Sequence, residues 1–385
     1  MKFDLEILGN NALKIYILYC SLGGLITYIF PFLRFIFPLI FLMFFLKFLF
    51  NGNLDKKFLF ILFIIIYLLY SLLFNGLQYV VYGLYVFYAI LFSFIFRKDY
   101  YIRFFNDYKF WLTILITNCI GILYVNFERP AWIGMEQDLF GITKQVSREW
   151  GTLGMFRNPG FTNGSVTVAS LIIISGLLYL ESIFNKKNLM LVFLSIPIYC
   201  LITYCLYLST TKTIMYSFIF LSILRFFPVL ILKITSILLL LVSVLISLYY
   251  FLFGKILYSD TENSLLIRME YTWPWSFSQL EGYKSIWGGG FGVVGSSSYL
   301  SGTGIPADNF FVYLYMIFGI FSLFFILFFW IKVCKNIFKL NVDKSFLLIF
   351  LALIFFAFTN NLVESIVFPV IVGIIIKVFY YPSKF

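Results

Sequence analysis

Apolar residues run along this chain in long, nearly uninterrupted blocks, separated by short clusters of Lys, Arg, Asn, Pro and Gly. A membrane-crossing helix needs roughly 20 such residues. Twelve blocks qualify, near 11–30, 32–50, 58–74, 77–96, 110–127, 165–184, 189–208, 213–227, 234–253, 309–331, 346–360 and 362–380. The eighth and eleventh are short, and Pro228 marks either the end of the eighth or a kink, since membrane helices tolerate proline. The first block is long and lacks a small-residue cleavage site, so it is expected to be a retained helix rather than a cleaved signal. Long unbroken runs also distinguish this pattern from the short alternating segments of a transmembrane barrel. The expected fold is an all-α polytopic membrane protein with about 12 transmembrane helices, in a single integral membrane domain over 1–385.

Composition sharpens that reading. Of 385 residues, 62% are hydrophobic and 12% charged, with 52 Phe and 28 Tyr, and the mean hydropathy is +0.98. Soluble domains are about half apolar and a quarter charged, and no single soluble core buries this much apolar surface. The chain has no histidine, which excludes a Ser-His-Asp triad and any histidine metal ligand. Cys20, Cys119, Cys200, Cys205 and Cys334 form no CxxC pair and fall in or beside the blocks, so they are expected to pack as apolar groups rather than form disulfides. The formal charge of +11 is distributed as a topology signal, not a nucleic-acid footprint. With the N-terminus placed in the cytoplasm, most of the 28 Lys and Arg fall on the cytoplasmic side, as the positive-inside rule requires. Both termini are then cytoplasmic.

Two outer loops stand apart from the otherwise short connections: loop A, 128–163, and loop B, 254–308. Long loops in compact proteins are usually functional, and these hold all the outer cations except Arg34 and Lys212. Loop A carries Arg148-Glu149-Trp150 and ends in Phe156-Arg157-Asn158-Pro159-Gly160-Phe161-Thr162-Asn163-Gly164. Proline and glycine set a turn there, and Thr162 or Asn163 is placed to cap the helix that follows. An arginine beside a helix N-terminus suits an anion, since guanidinium binds phosphate oxygens through paired hydrogen bonds. The competing reading is a capped helix with Arg157 paired to a loop carboxylate. Loop B carries Arg268, Trp273-Pro274-Trp275, Trp287-Gly288-Gly289-Gly290-Phe291-Gly292 and Asp308-Asn309. The glycines let backbone approach a ligand closely, but without a βαβ context or a Gly-Lys-Ser/Thr ending they form neither a dinucleotide fingerprint nor a P-loop. Trp273 and Trp287 are either platforms for sugar faces or interfacial anchors.

Polar residues within the blocks complete the inventory. Lys212, after Ser209-Thr210-Thr211, opens the eighth block at its outer end and either neutralises a lipid phosphate or snorkels. Glu181 is expected to reach water at the cytoplasmic end of the sixth block. Glu364, near Asn360 and Asn361, lies at the last outer turn.

Four of these features together resemble the O-antigen polymerase (Wzy) family, within the O-antigen ligase and polymerase superfamily. They are Phe156-Arg157-Asn158-Pro159-Gly160 before a block, Ser209-Thr210-Thr211-Lys212 at a helix start, Arg268 followed by aromatic residues and Gly288-Gly289-Gly290-Phe291-Gly292, and Asp308-Asn309-Phe310 followed by Phe318-Gly319-Ile320. They cover 156–331, under half the chain. Ligases of this superfamily typically carry a histidine near the position of Asp308-Asn309; its absence here favours the polymerase.

The resemblance implies a GT-C-like, metal-independent inverting glycosyltransferase at the outer (periplasmic) face of the bacterial inner membrane. Its substrates would be undecaprenyl-pyrophosphate-linked glycans, and a chain-length regulator would be a partner. On that reading no cofactor is expected, and membrane lipids surround the chain. Arg157 and Arg268, with Lys212 and Arg148, are expected to neutralise charge on the leaving pyrophosphate. Asp308 is the first choice for a base activating the acceptor hydroxyl, with Glu149 and Glu281 in reserve; the alternative for Asp308 is a helix N-cap. The competing functions are an O-antigen ligase and a lipid-linked oligosaccharide flippase. Transporters place charge and broken helices at the membrane midplane, whereas these blocks are nearly free of charge.

Overall fold

The computed structural model describes residues 5–50, 54–93, 103–139, 142–149, 151–152, 155–185, 189–257, 264–300, 303–306, 308–340, 343–363 and 367–380. It is mostly helical. The first half contains α1 (Leu5–Ser21), α2 (Gly23–Ile29), α3 (Leu33–Phe50), α4 (Leu54–Phe74), α5 (Leu77–Tyr85), α6 (Tyr88–Ser93), α7 (Tyr108–Phe127) and α8 (Ser165–Asn185). Next come α9 (Leu189–Leu208), α10 (Lys212–Leu224) and α11 (Val229–Phe253). Short segments α12 (Ser264–Ile267), α13 (Trp273–Ser278), α14 (Lys284–Trp287) and α15 (Ser296–Leu300) lie in loop B. The chain closes with α16 (Phe310–Phe318), α17 (Ile320–Ile337), α18 (Lys344–Thr359) and α19 (Phe368–Tyr380). Among the described residues four helices are long and apolar enough to cross a membrane, α7, α8, α11 and α17, or five if the bent pair α1–α2 counts as one span. That architecture is consistent with an all-α membrane protein.

Helix α18 is apolar on every side and nearly every residue in it is buried, as expected of a helix with no polar stripe. It packs against α8, α10 and α11. α8 is also largely buried, between α7, α9 and α18. At Gly176 a Cβ would come within 2.9 Å of Ile202 Cδ1, so α8 and α9 touch through the missing side chain. Cys20, Cys119 and Cys205 are buried and all five cysteines are unbridged.

Three sequence expectations change here. The first block is not one straight helix: α1 and α2 meet at a bend of 84°. The cause is loop A, whose Phe161 carbonyl takes the Gly24 N–H at 2.8 Å. The tenth block breaks at Gly319, whose φ of +53° ends α16 before α17 begins. Glu181 does not reach water. It is buried, and its carboxylate pairs with Arg225 Nε at 2.9 Å. Arg225 also donates to the Leu180 carbonyl at 2.9 Å and lies 3.6 Å over the Phe184 ring. This lock ties the end of α10 to the last turns of α8.

Loop A contains structure that the hydrophobic pattern does not announce. Strands β1 (Glu136–Leu139) and β2 (Ile142–Gln145) pair antiparallel, with Glu136 opposite Gln145. β3 (Gly151–Thr152) and β4 (Met155–Phe156) form a second short pair.

Candidate functional site

Loop A ends in a turn held by its own side chains. Asn158 donates Nδ2 to the Ile122 carbonyl on α7 at 2.8 Å and accepts the Gly160 N–H at 2.9 Å. Gly160 needs its positive φ of +56° to sit against Gly121 and Ile122. Thr162 donates to Pro159, and Ser147 donates to Thr162. Neither Thr162 nor Asn163 caps α8 in the expected way. Asn163 Nδ2 is taken by the Val146 carbonyl, while the Gly164 carbonyl accepts from Thr167 and Val168. The turn is thereby welded to α2 and α7, and Arg157, one residue before Asn158, projects from a rigid base.

Arg268 stands on an irregular helical stretch. Residues Arg268–Thr272 form a π-turn between α12 and α13, a feature frequent at functional sites. Pro274 explains it. Proline has no N–H and its ring crowds the carbonyl four residues back. That carbonyl, of Glu270, instead accepts the Leu257 N–H at 2.9 Å, while the Trp273 N–H reaches five residues back to Arg268. The widened turn carries Arg268 to two partners. Its Nε lies 3.4 Å from Asp308 Oδ2, and its Nη1 donates to the Thr359 carbonyl at the end of α18.

Asp308 is not the cap of α16. Asn309 is: its Oδ1 accepts the N–H groups of Phe311 and Val312, and its Nδ2 donates to Ser247 Oγ on α11 and to the Phe358 carbonyl on α18, both at 2.8 Å. The buried Asn309 thus fixes three helices at one point and leaves the Asp308 carboxylate to Arg268. Arg157 completes the group. Burial lowers its pKa from the ordinary arginine value, the neighbouring charges of Arg268 and Arg148 lower it further, and Asp308 opposes them. Arg157 and Arg268, 111 positions apart on two different loops, are therefore near enough for their charges and that of Asp308 to act on one another.

The other expected site residues fall elsewhere. Glu149 pairs with Arg129, whose guanidinium lies 5.0 Å over the Phe156 ring. Glu281 is exposed in the turn before α14. Lys212 opens α10 with an exposed side chain. Trp273 is fully buried, edge-on to Phe358, and offers no open face to a sugar. Trp287 is 45% exposed and packs against Phe321. Glu364 and Trp150 lie outside the described residues. Among those that are described, no three His, Cys, Asp or Glu side chains converge as metal ligands.

The glycine run 288–292 approaches backbone rather than a ligand. The N–H groups of Gly289 and Gly290 go to the carbonyls of Met316 and Ile317, and that of Phe291 goes to Ser71 Oγ. Tyr70 of α4 and Asn75, just past its end, donate to the carbonyls of Gly288, Gly289 and Phe291 at 2.7–2.9 Å. The run locks loop B between α4 and the break at Gly319.

Between them, α11 and α16–α19 form an apolar cavity of about 200 Å³. Phe310, Phe311, Ala357 and Leu362 line it, within one to three positions along the chain of Asn309 or Thr359. Tyr380 is the one lining side chain with a polar atom. The helix ends that hold Arg268 and Asp308 thus also contribute walls to an apolar cavity. Comparison with protein-family models, curated proteins and solved structures finds no match.

Proposed function

We propose that this protein polymerises undecaprenyl-pyrophosphate-linked oligosaccharide repeat units into a surface polysaccharide, as a metal-independent inverting glycosyltransferase of the bacterial inner membrane. The observation that carries the reading is the Arg268–Asp308 ion pair meeting the charge of Arg157, on helix ends whose neighbouring residues line an apolar cavity. Fold stability does not account for that meeting. The Asp308 side chain is 42% exposed, and such ion pairs contribute about 0–1 kcal/mol, while gathering arginines at one place adds repulsion. A diphosphate would relieve it.

In this reading the twelve blocks all cross or enter the bilayer, both termini are cytoplasmic, and the cluster faces the periplasm. Helix α18 has 16 residues and rises about 24 Å at 1.5 Å per residue, less than the ~30 Å hydrocarbon core. With Lys344 at the cytoplasmic boundary, Thr359 ends about 6 Å short of the outer boundary of the hydrocarbon core, a depth that the long Arg268 side chain spans from the headgroup side. Arg157 and Arg268 bind the pyrophosphate of the growing chain and neutralise charge as the anomeric carbon–oxygen bond breaks. Asp308 takes the proton of the attacking hydroxyl, and the configuration inverts. In the resting protein Asp308 lies against Arg268; an incoming diphosphate competes for Arg268 and frees the Asp308 side chain for the acceptor.

The test is the polysaccharide ladder of a deletion strain carrying wild type, Arg157→Ala, Arg268→Ala or Asp308→Ala at equal membrane levels. Wild type restores long chains and the arginine variants leave single repeats. Loss of even the single capped repeat on deletion would exclude polymerisation and point to a flippase or ligase.

A further inference from the structure

Arg34, the second residue of α3, is half-buried and keeps some accessible surface. The groups near enough to act on its charge are three phenols, Tyr19 of α1 and Tyr82 and Tyr85 of α5, with no carboxylate among them. Among the described residues its guanidinium makes no ion pair and no hydrogen bond. Its surroundings are well defined. Arg34 and Phe37 share a face of α3 as neighbours three positions apart. The Phe37 ring lies 4.8 Å from that of Tyr19 and 5.3 Å from that of Tyr16, so this face turns toward α1. On the α5 side, the Tyr85 hydroxyl lies 3.5 Å from the Arg34 carbonyl oxygen, and the rings of Tyr82 and Tyr85 stack at 6.0 Å. Further along α3, Ile36 and Leu39 are exposed and apolar. Charges at membrane depth are costly and pair with an opposite charge. An arginine held among phenols therefore calls for an anion from outside the chain. Guanidinium binds phosphate oxygens through two parallel hydrogen bonds, and phosphate is the anion that a bilayer supplies at its boundary.

We propose that Arg34 binds the phosphate of an anionic phospholipid whose acyl chains lie along Ile36 and Leu39. The charge count selects the ligand. One guanidinium matches the single negative charge of a phosphodiester, whereas two arginines suit the greater charge of a diphosphate. The site is separate from the other cluster, since neither Arg157 nor Arg268 is among the groups that act on Arg34. It stands whether or not the protein polymerises glycans. The charge distribution puts this end of α3 on the outer side, so the lipid belongs to the outer leaflet. Bound there, it joins α3 to the tyrosines of α1 and α5 and stabilises the first half of the chain.

The experiment uses the full chain, delipidated in detergent micelles, and four probes: phosphatidylglycerol, phosphatidylcholine, diacylglycerol and inorganic phosphate. Native mass spectrometry counts bound lipid, and the thermal unfolding midpoint reports its effect on stability. Wild type is expected to retain one phosphatidylglycerol and to unfold at a higher temperature with it than with any other probe. Arg34→Gln should weaken that binding about tenfold, the effect of losing a hydrogen bond between charged groups. Arg34→Lys keeps the charge without the fork and should fall between the two. Arg157→Ala should bind phosphatidylglycerol as wild type does. Wild-type affinity in Arg34→Gln, or binding lost in Arg157→Ala instead, would overturn the site. The probes test wild type without any variant. Diacylglycerol as effective as phosphatidylglycerol would overturn the phosphate contact, and phosphatidylcholine as effective would overturn the choice of an anionic lipid. Inorganic phosphate as effective would overturn the placement of the acyl chains.

Discussion

The crossing of loop B over the α16–α17 break makes a quantitative prediction about single methyl groups. Gly288 has φ +80° and ψ 169°, a region populated essentially by glycine and costing other residues about 1–3 kcal/mol. A Cβ there would lie 2.2 Å from the Ile317 carbonyl oxygen. At Gly319, with φ +53°, a Cβ would lie 2.1 Å from the Ile286 carbonyl oxygen. Both obstacles are backbone, which cannot rotate away, and overpacking adds about 1–3 kcal/mol. Gly288→Ala and Gly319→Ala should therefore each cost roughly 2–6 kcal/mol, the combined range of strain and overpacking. Two other glycines separate the contributions. Gly282 has φ +56° but nothing within 4 Å, so Gly282→Ala should cost only the left-handed backbone, about 1–2 kcal/mol. Gly164 has open space and an ordinary φ, so Gly164→Ala should change stability by less than about 1 kcal/mol. The assay is unfolding of the purified protein by sodium dodecyl sulfate, following tryptophan fluorescence. The expected order of midpoints is Gly164→Ala, then Gly282→Ala, then the two crossing variants. A Gly319→Ala midpoint equal to that of Gly164→Ala would refute the crossing.

Glu181→Ala should destabilise the same protein by about 3–5 kcal/mol, because it leaves Arg225 buried without its counterion; Glu181→Leu combined with Arg225→Met should recover most of that loss, and an equal loss in the double variant would contradict the pairing. Asp107 accepts the Phe110 N–H at the start of α7 and pairs with Lys14 of α1, so Asp107→Ala should cost about 1 kcal/mol as a lost cap. Burial raises the Asp107 pKa, but the Lys14 and Phe110 hydrogen bonds outweigh it and hold the carboxyl below its ordinary value. Its stabilising contribution is therefore present above about pH 4 and lost as pH falls through the lower folded value; a stability gap between wild type and Asp107→Asn that vanished at neutral pH would contradict this. Asn309→Ala should lower activity while Asp308 remains, since it releases α16 from Ser247 and Phe358; activity unchanged from wild type would show that the junction does not position the site.

Most helices were legible in the spacing of apolar runs, because burial in lipid or in α18's surroundings demands the same uniform hydrophobicity. What the runs do not reveal is where a helix breaks under pressure from a distant segment. The bend before Gly23 depends on Phe161 in loop A, and the break at Gly319 on Gly288 in loop B. The glycine run shows the same limit: the sequence marks close approach, but not whether the neighbour is a ligand or Met316 and Ile317. Arg157, Arg268 and Asp308 were legible as charged residues on one face, and their meeting was not. It depends on a π-turn whose one visible signal is Pro274. Asn309 and Asp308 exchange roles relative to the simplest capping expectation, since either side chain suits a cap and only the contacts to Ser247 and Phe358 decide.

The central claim is that Arg157 and Arg268 act together on a lipid pyrophosphate during polymerisation. The most direct measurement is product length from purified protein in nanodiscs, supplied with an undecaprenyl-pyrophosphate-linked repeat unit. Wild type should extend it to long chains, and Arg157→Ala or Arg268→Ala should slow extension on the order of a hundredfold with the protein still folded. Extension at the wild-type rate by either arginine variant would contradict the account.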